Sequence, residues 1–526
     1  MSHDPRRDES RGRNARVAAI VLNSVSHDAR VIKEAESLAR AGYEVAIFGI
    51  RDNRESDPTT ELPSGVVIHR ADWKSRAYAN AAQLVRIAGV LAVAGLVAGY
   101  ACLFAFGSQI LAVLGSWTFL FVLGLLPLLT VMIPFRRKAE EFANVARRLE
   151  GRPIRPLLRR PAGFTWFRRP LSALRAHATR GLDIVRRRVF RHTQEQAILE
   201  LVDAWRPRIV HCHDLHTVPV GLRIKRRLGT RLVYDSHELY EDQSMISPHS
   251  ARAARRRQRS IARRIDGFIT VNDSIARTLH QRYPGLPEPV VVKNATEPQT
   301  EPPVDDGRLH RAAGLAEDVR ILLYQGGFSP RRGLDVLVRT APLLPEGWAL
   351  VMMGWGTFES RLRAIAGEVD PDGTRIRFVP PAPRAELAAW TAGADLGVIP
   401  YENVCLNHWY CSPNKLWEYP IAGVPILASP FPELRGPIEL WGIGRLIDDP
   451  PTPEGIAAAV AAIDPDELAA MSERCRRFIE SDNWSVYERR LIELYERLRT
   501  RTPSTAAPTA PAPAAVDELP KVAAGS

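Results

Sequence analysis

Between Ile87 and Phe135 the chain carries no charged residue, a run of 49 positions. One membrane helix needs about 20 apolar residues, so this run accommodates two. Gly107, Ser108 and Gln109 interrupt it near the middle, where a polar turn would join antiparallel helices. Both outer ends are basic, with Arg76 and Arg86 before the run and Arg136, Arg137 and Lys138 after it. Lys and Arg mark the cytoplasmic flank of a membrane segment, which predicts both ends on that side. Residues 84–135 are therefore expected to form a transmembrane or re-entrant helical hairpin; the competing reading is a buried helical pair in a soluble domain. The N-terminal stretch MSHDPRRDESRGRNAR has no apolar core and does not read as a signal peptide.

The formal charge of +12 is concentrated next to this run. Residues 136–192 hold 17 Lys and Arg against 4 Asp and Glu, which leaves the rest of the chain slightly negative. Arginines at 159–160, 168–169 and 186–188 alternate with Leu157, Leu158, Phe164, Trp166, Phe167 and Val189, a mixture suited to a lipid headgroup layer. Anionic membrane lipids are the expected partner and nucleic acid is not. A second basic run, Arg252, Arg255, Arg256, Arg257, Arg259, Arg263 and Arg264, either extends that surface or is a solvated helix face. Five cysteines, with no C-x-x-C spacing, support neither a disulfide framework nor a zinc ribbon and fit a reducing compartment.

At 526 residues the chain is too long for one core, and its remainder alternates strand-like and helix-like segments. Val17 to Asn23 is an apolar β-branched run, Ala29 to Ala41 has helical periodicity, Gly42 is placed to end that helix, and Glu44 to Ile50 is again strand-like. The alternation resumes at Arg208 to His213 and continues, after a Pro-rich acidic stretch, from Arg320 to Ala428. Such alternation predicts an α/β protein with parallel sheets. The expected organisation is a disordered N-terminus (1–15), a first doubly wound domain in two pieces (16–74 and 193–296), the hairpin (84–135) and basic segment (136–192) between them, and a linker (297–307). A second doubly wound domain (308–483), a C-terminal helix (484–500) and a disordered Pro/Ala-rich tail (501–526) follow. Ligands of such domains bind beyond the carboxyl ends of the strands, so two facing domains enclose a cleft.

The most informative chemistry lies at Ser412 to Pro425. Ser412-Pro413 predicts a helix start, with Ser412 as the capping residue and Asn414 and Lys415 in the first turn. Free amides there attract phosphate, and Lys415 adds a full charge. Glu418, three residues on, shares the helix face of Lys415 and can accept both hydroxyls of a ribose. Spacing alone also fits a surface ion pair. Pro420 is expected to kink or shorten the helix.

The run S412-P-N-K-L-W-E-Y-P-I-A-G-V-P425 resembles the donor-nucleotide motif of retaining glycosyltransferase family 4. The family's GT-B fold, two facing Rossmann-like domains, is the fold this resemblance implies, here with a hydrophobic hairpin added. Y324-Q-G-G-F-S-P-R-R-G333 resembles the family's phosphate loop, with Gly326 and Gly327 at its turn and Arg332 where Lys is usual. Arg grips a diphosphate bidentately, so that exchange is chemically tolerable. G354-W-G356 resembles the G-x-G turn, and V233-Y-D-S-H-E-L239 resembles the segment whose His lies beside the donor sugar. The resemblance implies His237, Arg332 and Lys415 as catalytic residues and Gly326, Gly327, Gly354, Gly356, Ser412, Asn414 and Glu418 as donor-binding residues. It implies a UDP- or GDP-sugar donor, a metal-independent reaction and no cofactor. Tyr410 stands where the first Glu of the family's paired glutamates belongs, so the sugar identity does not transfer. His211 and His213 in H211-C-H-D-L-H216 suggest metal ligation, but the spacing matches no closed zinc site, and no metal is expected; Asp214 and His216 are possible cleft residues. The segment S26-H-D-A-R-V-I-K-E34 lies where an acceptor would approach.

These observations predict a glycosyltransferase at the cell membrane, its catalytic domains on the cytoplasmic side, acting on a lipid-linked or cell-envelope glycan acceptor. A nucleotide-sugar hydrolase or epimerase of the same fold, or an inactive membrane scaffold, is the alternative.

Overall fold

The computed structural model describes residues 15–26, 28–52, 57–73, 190–299 and 301–500. The expected hairpin, nearly all of the basic segment and the C-terminal tail lie outside the described residues. Among the described residues no helix is long and apolar enough to cross a membrane.

Two sheets organise the chain. The first contains β1 (Arg16–Ile20), β2 (Glu44–Ile50), β3 (Thr59–Glu61), β4 (Val67–Ala71), β5 (Ile209–His213), β6 (Arg231–Ser236), β7 (Gly267–Thr270) and β8 (Pro289–Val291), in the order β3-β4-β2-β1-β5-β6-β7-β8. Its neighbours pair in parallel except β3 with β4. The second contains β9 (Arg320–Gly327), β10 (Trp348–Trp355), β11 (Ile376–Val379), β12 (Leu396–Ile399), β13 (Ile426–Ala428) and β14 (Gly444–Leu446), all parallel in the order β11-β10-β9-β12-β13-β14. Parallel strands covered on both faces are apolar throughout. Every residue of β5 is buried, and β10 is buried up to Trp355.

Each sheet has one point where the chain reverses its direction of growth, between β1 and β5 in the first and between β9 and β12 in the second. In sheets of this kind ligands bind at that point, outside the carboxyl ends of the strands.

The segment 74–189 interrupts the first sheet between β4 and helical residues 190–205, which lead into β5. Its flanks meet: the Trp73 and Phe190 rings lie 5.6 Å apart, edge to face. The chain therefore leaves and re-enters the first domain at one place.

The last helix, Trp484–Thr500, returns to the first sheet. Its buried positions Trp484, Tyr487, Leu491, Leu494, Tyr495 and Leu498 follow helical spacing and form one apolar stripe. Trp484 Nε1 donates to Ser37 Oγ at 2.8 Å, and the Tyr495 hydroxyl meets His211 Nδ1 at 2.9 Å. A chain end drawn from the second domain thus seals the core of the first.

Candidate active site

On the second domain, β9 runs into its loop through Gly326 at φ +113. That φ favours glycine, and a Cβ there would stand 3.2 Å from Lys415 Nζ. Lys415 is 7% exposed and donates to the Tyr401 hydroxyl at 3.2 Å. Arg332 Nη1 donates to the same hydroxyl, Nε donates to Ser329 Oγ at 2.9 Å, and the guanidinium lies over the Tyr401 ring. Burial pushes the Tyr401 phenol up to about 12 against the pull of Arg332, so it stays a neutral acceptor. Tyr401, two residues after β12, thereby collects two cations at the reversal point of the second sheet.

Glu418 lies one helical turn beyond Lys415. Its Oε2 accepts from Gln325 Nε2 at 3.1 Å, and Gln325 Oε1 accepts from Thr391 Oγ1 at 2.8 Å. The carboxylate is aimed by β9 rather than by Lys415, which removes the simple ion-pair reading. The helix spans Lys415–Ile421, with Asn414 at its N-cap and no side-chain capping bond. The expected cap at Ser412 is corrected: its backbone carbonyl instead receives Asn294 Nδ2 of the first domain at 3.4 Å. Pro420 sits inside the helix, which ends one residue later as a proline there demands.

Gly354 and Gly356 act through packing. A Cβ at Gly354 would lie 1.9 Å from the Gly326 carbonyl oxygen, and one at Gly356 would lie 2.0 Å from that of Phe328. They let the end of β10 rest directly on the phosphate-loop backbone. Gly327 borders open space.

On the first domain, His237 follows β6 and is engaged on both ring nitrogens. Nε2 lies 2.9 Å from Asp235 Oδ2 and Nδ1 lies 3.3 Å from Asp214 Oδ1. Burial alone would depress the imidazolium, but Asp235, with help from Asp214, outweighs it and raises the pKa to about 9. The family resemblance puts this histidine beside the donor sugar; here two carboxylates already engage both ring nitrogens.

Behind it lies a buried charge network. Arg30 donates from Nε to Asp235 Oδ2 at 2.9 Å and from Nη2 to Asp235 Oδ1 at 3.2 Å, and pairs with Glu34 at 3.0 Å. Burial would push the Asp235 carboxyl up, yet Arg30 and His237 hold it well below the usual range. Arg30 Nη1 also donates to the Val292 carbonyl at 2.7 Å and Asn294 Oδ1 at 3.0 Å. Glu34, His211, His213 and Asp235 each place a ligand atom within 4.8 Å of the others. Arg30 occupies both carboxylates of that group, and its guanidinium stands where a cation would be repelled. The cluster is an ion-pair network that fixes His237.

The two halves meet along residues 406–412. Leu239 N donates to Asn407 Oδ1 at 2.7 Å, and Asn272 Nδ2 donates to the Tyr410 carbonyl at 2.8 Å. Leu406 and Tyr410 pack against the first-domain core. Tyr410, standing where a carboxylate was expected, is therefore part of the seam between the domains. Sequence reading missed Tyr401, Gln325, Asn407, Asp235 and Arg30; only Asp235 had a local signal, its strand alternation with His237.

Two parallel α/β domains meeting along one seam are the layout of the GT-B fold. The structure superposes on sucrose-phosphate synthase from Thermosynechococcus elongatus with TM-score 0.60 at 16% identity, covering 92% of this chain and 99% of that one. Residues 135–295 match the Glycosyl transferase 4-like domain. D-inositol 3-phosphate glycosyltransferases are similar in sequence: that of Thermobispora bispora is 29% identical over 56% of this chain and 72% of its own, and that of Jonesia denitrificans is 25% identical over 55% and 72%. With this domain and these relatives, the chain is a glycosyltransferase.

Proposed function

We propose that this enzyme transfers a sugar, with retained anomeric configuration, from a UDP- or GDP-sugar to a lipid-linked or cell-envelope glycan acceptor at the cytoplasmic face of the cell membrane. The observation that carries the donor reading is the convergence of Arg332 and Lys415 on the Tyr401 hydroxyl at a strand-end crevice, with Glu418 one turn away. The two cations stabilise charge building on the departing diphosphate, the electrostatic task of such sites, and no metal is needed for it. Glu418 takes the ribose hydroxyls, and His237 with its carboxylates borders the sugar from the opposite domain.

Membrane association rests on the uncharged run 87–135 and the basic residues after it. The meeting of Trp73 and Phe190 supports an insertion that projects from one point of the first domain. Burial and nearby Arg191, where the chain returns, depress the Arg257 pKa. That proximity supports a basic surface continuous from the insertion onto the helix Pro248–Ile261.

A panel of nucleotide sugars, given to detergent-solubilised protein with membrane lipid extract, tests this reading. Diphosphate release together with labelled lipid supports it. Isomerised or free sugar formed without acceptor favours an epimerase or hydrolase, and absence of UDP or GDP binding removes the enzyme reading of the site.

A further inference from the structure

The otherwise buried strand β10 ends in an aromatic ring left in water. Trp355, its last residue, stands between Gly354 and Gly356 and is 54% exposed. Its backbone is fixed: it pairs with Gly327 in the register of β9 and β10, and its carbonyl accepts from Phe328 N at 2.7 Å. Its indole has no ring contact, cation contact or hydrogen bond among the described residues, whereas every other tryptophan there has one. A held backbone thus presents a flat apolar ring that no other side chain engages.

The strand register says what lies beside it. Side chains alternate along a strand, and paired residues of adjacent strands share a face. Met353 pairs with Gln325, so Trp355, two residues on, belongs to the face that Gln325 occupies. Gln325 is the residue whose amide donates to Glu418. The helix Lys415–Ile421 covers that same face, since a Cβ at Gly397, the partner of Leu323, would stand 2.5 Å from the Tyr419 ring. Strand spacings put the Trp355 Cα about 5 Å sideways from Gln325 and about 7 Å farther along. Gly327, between them and the loop, leaves space: a Cβ there would meet nothing within 4 Å.

We infer that Trp355 is the stacking platform for the base of the nucleotide, its indole lying against the heterocycle while Glu418 takes the ribose and Arg332 and Lys415 take the diphosphate. This rests on the donor reading above. The base is bonded directly to the ribose, so a ribose held at Glu418 brings the base to the surface next to that carboxylate, and there the exposed indole is the flat apolar group. Every base has a π face, so such a stack adds affinity without choosing strictly between UDP and GDP. A base is favoured over an acceptor sugar because Trp355 belongs to the domain of the two diphosphate cations.

Trp355→Ala and Trp355→Phe test the inference, with thermal melting to establish that both fold. Calorimetric titration with UDP, GDP and inorganic diphosphate supplies the Kd values. Trp355→Ala should weaken UDP and GDP by about 5- to 100-fold, the range of one base–aromatic stack, and should leave inorganic diphosphate within about twofold. Trp355→Phe, which keeps a ring, should recover most of the loss. Unchanged UDP and GDP affinity in a folded Trp355→Ala protein overturns the inference. So does an equal loss for inorganic diphosphate, which would mean that the substitution acts through the Gly326–Gly327 backbone. A defect confined to transfer onto membrane lipid extract, with nucleotide Kd intact, also overturns it and would make the indole a platform for an acceptor sugar. A wild type that binds neither UDP nor GDP removes the donor reading itself, and this assignment with it.

Discussion

Asp235 Oδ2 lies 2.9 Å from His237 Nε2, and the same carboxylate is clasped through both oxygens by Arg30. One buried anion thus joins a structural cation to the histidine that borders the cleft.

His237 faces Asp235, Asp214, His213 and Arg30, with Glu34 and Tyr240 nearby, and burial opposed by Asp235 leaves its pKa at about 9. Its folded value is raised above the roughly 6.5 of an unfolded histidine. Its contribution to stability is therefore complete below about pH 6.5 and is lost as pH rises through about 9. In kcat/KM against pH, the wild type should hold its rate through neutrality and fall on that alkaline limb. Asp235→Asn should move the limb to lower pH; a limb that stays in place would show that Asp235 does not govern His237.

Arg30→Met leaves Asp235 and Glu34 buried without their cation. Removing one partner of a buried ion pair costs about 3–5 kcal/mol, and the urea midpoint should fall accordingly. Unfolding at the wild-type midpoint would contradict the role given to Arg30.

Tyr401→Phe deletes the hydroxyl on which Arg332 and Lys415 converge. Hydrogen bonds to charged groups contribute about 1.5–3 kcal/mol. Donor kcat/KM should drop by about tenfold or more, read from diphosphate release. An unaffected rate would mean that the two cations are placed without Tyr401.

Glu418→Ala separates ribose recognition from diphosphate recognition. Affinity for UDP and GDP should weaken by about 10- to 100-fold, while affinity for inorganic diphosphate, held by Arg332 and Lys415, should persist. Calorimetric titration of the three ligands checks this; equal losses would place Glu418 among the phosphate contacts.

Strands such as β1, β10 and β12 were legible because a parallel sheet covered on both faces requires near-continuous apolar runs. The segment Tyr324–Gly333 was legible because its glycines and arginines are contiguous. Other features left no local trace. The helix Ala29–Arg40 buries Arg30 and Glu34 on its inner face, among apolar neighbours. Nothing in its periodicity says that their partner is Asp235, about two hundred positions away. Nothing in the local sequence marks Tyr401, whose hydroxyl accepts from both Arg332 and Lys415. The start at Ser412 was misread because a Ser-Pro pair favours a cap only where the chain is free to turn there, and the first domain holds this one through Asn294.

Charge and hydropathy along the chain were enough to separate an uncharged run with its basic collar from an almost neutral pair of α/β domains. The periodicity of apolar residues is a local property and survives without knowledge of neighbours. The site is not local. Asp214, Asp235 and His237 come from the ends of adjacent strands, Arg30 from a helix that precedes them by the whole insertion, and Lys415 from the other domain. Only the parallel pairing of β1, β5 and β6 brings the first-domain charges within hydrogen-bonding distance of one another, and only the closing of residues 406–412 onto that domain joins it to the domain of Lys415.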